Sequence, residues 1–66
     1  MATGTVKWFN KDKGFGFISP DEGGRDIYVV TSHIDTPDHE LSDGQRVEYE
    51  IELGRKGPEA VRVKII

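Results

Sequence analysis

From Gln45 to Leu53 the chain alternates at every step. Val47, Tyr49, Ile51 and Leu53 interleave with Arg46, Glu48, Glu50 and Glu52. A period of two puts the two sets on opposite faces of a β-strand, so the apolar set is expected inside and the charged set outside. Four more short segments carry strand character. Gly4 to Asn10 contains Val6, Trp8 and Phe9. In Lys13 to Ser19, Phe15 and Phe17 share one face while Gly16 and Ile18 share the other. In Arg25 to Val30, Ile27 and Val29 point one way and Tyr28 and Val30 the other. The last segment, Glu59 to Ile66, is β-rich, and its adjacent Ala60 and Val61 suggest a bulge.

Turn residues separate these segments. Pro20-Asp21-Glu22-Gly23-Gly24 reads as a hairpin loop, with Pro20 stopping the ladder. Gly54-Arg55-Lys56-Gly57-Pro58 is a second loop. Thr31 to Gly44 is polar, and Thr36-Pro37-Asp38 resembles the start of a single helical turn. Five short strands without a substantial helix bury their apolar faces and remove their edges by closing into a barrel. The expectation is an all-β, five-stranded antiparallel barrel. Its core should be Val6, Ile18, Ile27, Val29, Ile34, Val47, Ile51 and Val63, helped by Phe9, Tyr49 and Leu53.

Sixty-six residues are expected to form one domain, with no cysteine to staple it. A core of this size rarely supplies more than about 3–5 kcal/mol. The sequence shows no leader and no long apolar run, so a cytoplasmic chain is expected. The formal charge is −3, which at first argues against a phosphate-bearing partner. The charge is uneven, however. Residues 1–19 carry a net +2, residues 20–52 a net −8 and residues 53–66 a net +3. Screening beyond roughly 8–10 Å makes local cations the relevant quantity.

Five of the six aromatic residues lie within the first 28 positions. If Ile18, Ile27 and Val29 face the core, alternation turns Phe15, Phe17 and Tyr28 outward, with Trp8 from the preceding strand. Leaving a large ring in water forfeits about 1.5–3 kcal/mol, a heavy cost for so small a fold unless the rings serve another purpose. Exposed rings beside Lys7, Lys11 and Lys13 suit a platform for unpaired bases, each stack being worth roughly 1–3 kcal/mol. Gly16 is expected to let the wall bend on its inner side, and Gly14 to let a nucleotide backbone approach.

The run Lys13-Gly14-Phe15-Gly16-Phe17-Ile18 matches the first ribonucleoprotein motif. Gly4-Thr5-Val6-Lys7-Trp8-Phe9-Asn10 is similar to the opening of bacterial cold-shock proteins, and Asp26-Ile27-Tyr28-Val29 to the start of their second motif. Gly44-Gln45-Arg46-Val47 and Gly57-Pro58-Glu59-Ala60 fit the family's later turns and strands. The chain thus resembles the cold-shock-domain family over nearly its whole length. The resemblance implies a Greek-key barrel of the oligonucleotide-binding (OB) fold and binding of single-stranded RNA or DNA, with RNA-chaperone or transcription-regulating activity. It implies stacking by Trp8, Phe15, Phe17 and Tyr28, and polar or phosphate contacts from Lys7, Asn10, Lys13 and the Arg55-Lys56 loop. Asp26 would accept a hydrogen bond from a base edge. Lys11, Val30, Thr31 and His33 are minor candidates.

Two departures matter. Where the family's second motif continues with a histidine and an aromatic residue, this chain has Val30 and Thr31. The long loop also lacks an aromatic between Thr31 and Leu41. Fewer platforms imply a lower affinity or a shorter bound strand; stacking by His33 or His39 would be a partial substitute.

Other chemistries fit poorly. His33, Asp35, Asp38 and His39 are close in sequence, but polar loops commonly carry such residues without metal. Gly14-Phe15-Gly16 lies in a strand, with no helix or Lys-Ser/Thr pair after it. Ser32, His33 and Asp35 are too nearly adjacent for a catalytic triad. The expectation is a monomer that is not an enzyme and takes no cofactor, metal, membrane or small-molecule substrate. The rival reading is a protein-interaction module, because exposed aromatic patches also serve protein interfaces and Glu48, Glu50 and Glu52 could meet a basic partner; the plainer reading of those glutamates is a solvated face that discourages edge pairing.

Overall fold

A computed structural model describes all 66 residues. The segments become strands β1 (Ala2–Asn10), β2 (Phe15–Pro20), β3 (Ile27–Val30), β4 (Arg46–Gly54) and β5 (Gly57–Ile65), with a 3-10 turn at Thr31–His33 between β3 and β4. They close into a barrel in the order β1-β2-β3-β5-β4. Four seams are antiparallel, but β3 meets β5 in parallel, Tyr28 opposite Glu59, so the expected all-antiparallel closure holds for every seam except that one.

Eleven buried residues form one cluster: Val6, Phe9, Ile18, Ile27, Val29, Ile34, Leu41, Val47, Tyr49, Ala60 and Val63. Ile51 and Leu53 correct the expected core, since both are exposed. Their strand alternates as expected, but β1 pairs with β4 only as far as Ala2 opposite Tyr49. Beyond that point no wall covers their face, and period alone does not tell a strand where its neighbour stops. Leu41, not expected in the core, is buried from inside the polar loop.

Two local readings change, and a third holds with a small displacement. Pro20 ends β2 opposite Gly4 instead of starting the loop, which a strand terminus tolerates. Thr36-Pro37-Asp38 forms a turn, not a helical one; the Thr36 hydroxyl and the Glu40 N–H both donate to Asp38 Oδ1. The one helical turn comes earlier, at Thr31–His33, and leads into Ile34, which bridges Val63. The bulge expected in β5 lies next to Ala60 and Val61: register shifts between Glu48 and Glu50, and Arg62 has a φ of 51°.

A second bulge was not foreseen. Val6 opposes Ile18 and Trp8 opposes Phe17, leaving Lys7 as an extra residue in β1. The phase shift turns Lys7 and Trp8 both outward and returns Phe9 to the core.

Asp21 anchors the loop after β2 to the barrel. Both its carboxylate oxygens accept from Arg46, at 2.6 and 2.7 Å, and one also accepts from the Thr3 hydroxyl at 2.7 Å. The Arg46 hydrogen bonds, then that of Thr3, lower its pKa to about 2. A carboxylate whose folded pKa is depressed adds stability that is complete above its unfolded value of about 3.9 and disappears as pH falls towards the folded value. Urea unfolding followed between about pH 5 and 2 should therefore show a stability loss that Asp21→Asn removes in part. A variant whose pH profile overlays that of the parent would contradict this coupling. The site is solvent-exposed, so added salt should shrink the effect.

Candidate nucleic-acid interface

Register places the aromatic side chains on the outer wall of β1, β2 and β3 in two rows. Trp8, Phe17 and Tyr28 oppose one another in succession across the three strands, and so do Asn10, Phe15 and Val30. Directly opposed residues on neighbouring strands share a face and bring their side chains together. The ring centroids lie 5.5 Å apart for Trp8–Phe15, 5.3 Å for Trp8–Phe17, 5.9 Å for Phe15–Tyr28 and 5.7 Å for Phe17–Tyr28. Each ring touches two others at edge-to-face or tilted angles, which offsets part of the cost of leaving them uncovered. Trp8 is 38% exposed and the other three rings are half-buried.

Gly16 lets this wall lie close to β1. It is buried, and a Cβ there would collide with the Trp8 carbonyl oxygen and lie 2.8 Å from Phe9 Cα. Gly14 has a structural task in the β1–β2 turn. Its φ is +77°, its N–H donates to Asn10 O, and the Thr31 side chain lies against the position a Cβ would take. Asn10 is likewise engaged in the turn, its side-chain oxygen accepting from the Lys13 N–H at 3.0 Å.

Lys56 brings a cation from the β4–β5 hairpin to the rings, its Nζ 5.2 Å from the Tyr28 centroid. Beside them lies an open depression of about 300 Å³, bounded by Phe15, Phe17, Tyr28, Arg25, Asp26 and Lys56. Arg25 was not among the sequence candidates. Its signal was a basic residue immediately before Asp26-Ile27-Tyr28, hidden in the most acidic third of the chain.

Lys7 and Asp26 form an ion pair with each other at 3.0 Å, so neither charge stands alone. Lys11 reaches Glu40 at 3.9 Å and lines a separate depression with residues of the long loop. Arg46 and Arg62 are held by carboxylates on other parts of the barrel. Lys13, Arg25, Arg55 and Lys56 form no ion pair. The net negative charge of the chain therefore coexists with two unneutralised cations beside the rings, Arg25 and Lys56. Arg55 is exposed at the hairpin tip, without the ring contact of Lys56.

Val30 sits opposite Phe15 as a half-buried aliphatic where a further ring would extend the platform. Thr31 donates its N–H to Gly14 O at 3.0 Å. His33 is half-buried on the 3-10 turn. His39 has its Nδ1 2.8 Å from Ile34 O, so that ring is occupied within the loop.

Comparison with known proteins places the chain in a family. Residues 2–66 match the model of the 'Cold-shock' DNA-binding domain. The chain is 54% identical over 61 residues to cold shock-like protein CspE of Escherichia coli, covering 91% of this chain and 88% of that one. It is 55% identical over 62 residues to cold shock-like protein CspB of Yersinia pestis, with 92% and 89% covered. Cold shock protein ScoF of Streptomyces coelicolor is 50% identical over 64 residues, 96% of each chain. Among solved structures, Drosophila Unr CSD456 superposes with a TM-score of 0.82 at 20% identity, over 98% of this chain and 26% of that one, which shows a shared fold.

Proposed function

The chain belongs to the cold-shock DNA-binding domain family, and from that premise we propose that it binds single-stranded RNA or DNA by stacking unpaired bases on Trp8, Phe15, Phe17 and Tyr28. The observation that carries this reading is the continuous four-ring face bordered by cations that no carboxylate neutralises.

Each part then has a task. The rings supply stacking energy that depends little on base identity. Lys13, Arg25, Arg55 and Lys56 meet phosphates along the strand. The Lys7–Asp26 pair offers one donor and one acceptor to base edges, at the cost of loosening its 3.0 Å contact. Asn10 acts by fixing the turn that carries Lys13. No bond is made or broken, so the protein is a binding module rather than an enzyme.

Duplexes hide their base faces, so binding favours the open strand. A ligand that binds one state stabilises it by RT ln(1 + [L]/Kd). An abundant protein of modest affinity would thereby disfavour RNA hairpins without ATP, which is RNA-chaperone activity. With Val30 and Thr31 in place of further platforms, the affinity is modest and the bound strand short.

Trp8 fluorescence supplies the test. Oligothymidine should quench it, and a duplex of the same length should not. Three or four phosphate contacts set a slope of log Kobs against log salt of about −2 to −3. Equal binding of duplex and single strand would reject the stacking mechanism. Thr31→Tyr should tighten binding about fivefold or more, the low end of one added stack. An unchanged Kd would show that position 31 serves the Gly14 turn alone.

A further inference from the structure

Beyond its last contact with β1, strand β4 is an open edge. β1 covers β4 from Arg46 to Tyr49, whereas β5 accompanies it as far as Gly54. Glu50–Gly54 therefore pair on one side only. Pro58, which has no N–H, opposes Leu53. In an antiparallel ladder, hydrogen-bonded and non-hydrogen-bonded pairs alternate, so Leu53 and Ile51 direct their backbone N–H and C=O groups to the open side.

The side chains along this edge have a definite pattern. Ile51 and Leu53 stand on one face, 52% and 88% exposed. Ile51 borders a depression of about 130 Å³ with Met1, Pro20 and Tyr49, and the buried Tyr49 hydroxyl has no partner. Glu50 and Glu52 stand on the other face and share a single guanidinium, that of Arg62, at 2.6 and 3.2 Å. Lys64 and the N-terminal ammonium also act on Glu50, but Glu59 stands opposite Glu52 on the same face, so negative charge is left over around Glu52.

We propose that the Glu50–Gly54 edge accepts an extended peptide of alternating aliphatic and basic residues as an added strand. Backbone hydrogen bonds to Ile51 and Leu53 hold the guest, and its alternate side chains read the two faces. Aliphatic residues opposite Ile51 and Leu53 cover those side chains, and Lys or Arg opposite Glu50 and Glu52 takes up the surplus charge. The chain already shows this preference on the other side of β4. There β5 reads Val61-Arg62-Val63-Lys64-Ile65, with Lys64 opposite Glu48 and Arg62 bonded to Glu50 and Glu52. A second copy of β4 is a poorer guest, because it would align glutamates with glutamates. The inference does not depend on nucleic-acid binding, which uses the wall formed by β1 to β3.

The probe is a synthetic peptide with the Val61–Ile66 sequence, VRVKII, titrated into the isotope-labelled protein and followed by amide chemical shifts. Shifts concentrated at Glu50–Gly54 are expected, together with at least tenfold weaker binding of a peptide in which the same residues are grouped out of phase. Leu53→Ser, at a site too exposed to disturb the core and without a new charge beside Arg55 and Lys56, should weaken VRVKII at least tenfold and leave oligothymidine binding unchanged. Absence of shifts at Glu50–Gly54 up to millimolar peptide, or equal binding of the out-of-phase peptide, would overturn the assignment. Concentration-dependent shifts at Glu50–Gly54 without peptide would overturn it in favour of a second copy as the guest.

Discussion

Gly16→Ala should cost about 3 kcal/mol or more, the upper end of what overpacking a filled interior does. The added methyl would meet the Trp8 carbonyl oxygen, Phe9 Cα and Phe9 Cδ1. Two of those three atoms are backbone, so β1 itself would have to move away from β2. A domain of this length holds only about 3–5 kcal/mol in reserve. Thermal unfolding by circular dichroism should show Tm falling by roughly 12–24 °C, at 4–8 °C per kcal/mol. Gly23→Ala is the control. Gly23 has a φ of +88° but open space around it, so its replacement costs only the left-handed backbone penalty of about 1–2 kcal/mol. If Gly16→Ala melts within a few degrees of the parent, β1 and β2 are not in the close contact on which the position of Trp8 depends.

Phe17→Ala should weaken oligothymidine binding about 5- to 150-fold, the equivalent of one lost stack of roughly 1–3 kcal/mol. Phe17 is the central ring of its row, opposed by Trp8 on one side and Tyr28 on the other. Its loss also removes lateral support from both neighbours. The fold should survive, because the ring lies outside the core cluster. Salt dependence separates the two kinds of contact. Phe17→Ala lowers affinity at every salt concentration with the slope unchanged, whereas Lys13→Gln reduces the slope by nearly one contact. Affinity equal to the parent, measured through Trp8 quenching, would remove Phe17 from the interface and with it the platform's centre.

The outward placement of Phe15, Phe17 and Tyr28 was legible because Ile18, Ile27 and Val29 alternate against them, and two β-strand faces leave no third choice. Trp8 was reached by its neighbourhood in sequence; its orientation depends on the extra residue at Lys7, which a count of two cannot anticipate. Ion pairing is a property of strand neighbours, so the sequence shows neither the pairing of Lys7 nor the unpaired state of Arg25. Lys7 finds Asp26 nineteen positions away, while Arg25 has no carboxylate partner.

Alternation and turn residues by themselves determined the five strands and the outward rings of Phe15, Phe17 and Tyr28, because the direction of successive side chains is a local property of the backbone; the barrel followed as the way such strands cover their edges. Only the tertiary structure decided where β1 stops covering β4, which exposes Ile51 and Leu53, how Leu41 enters the core, and which cations remain unpaired. Those outcomes depend on how far one strand extends along another and on which charges that brings within a few ångströms, distances set only once the barrel has closed.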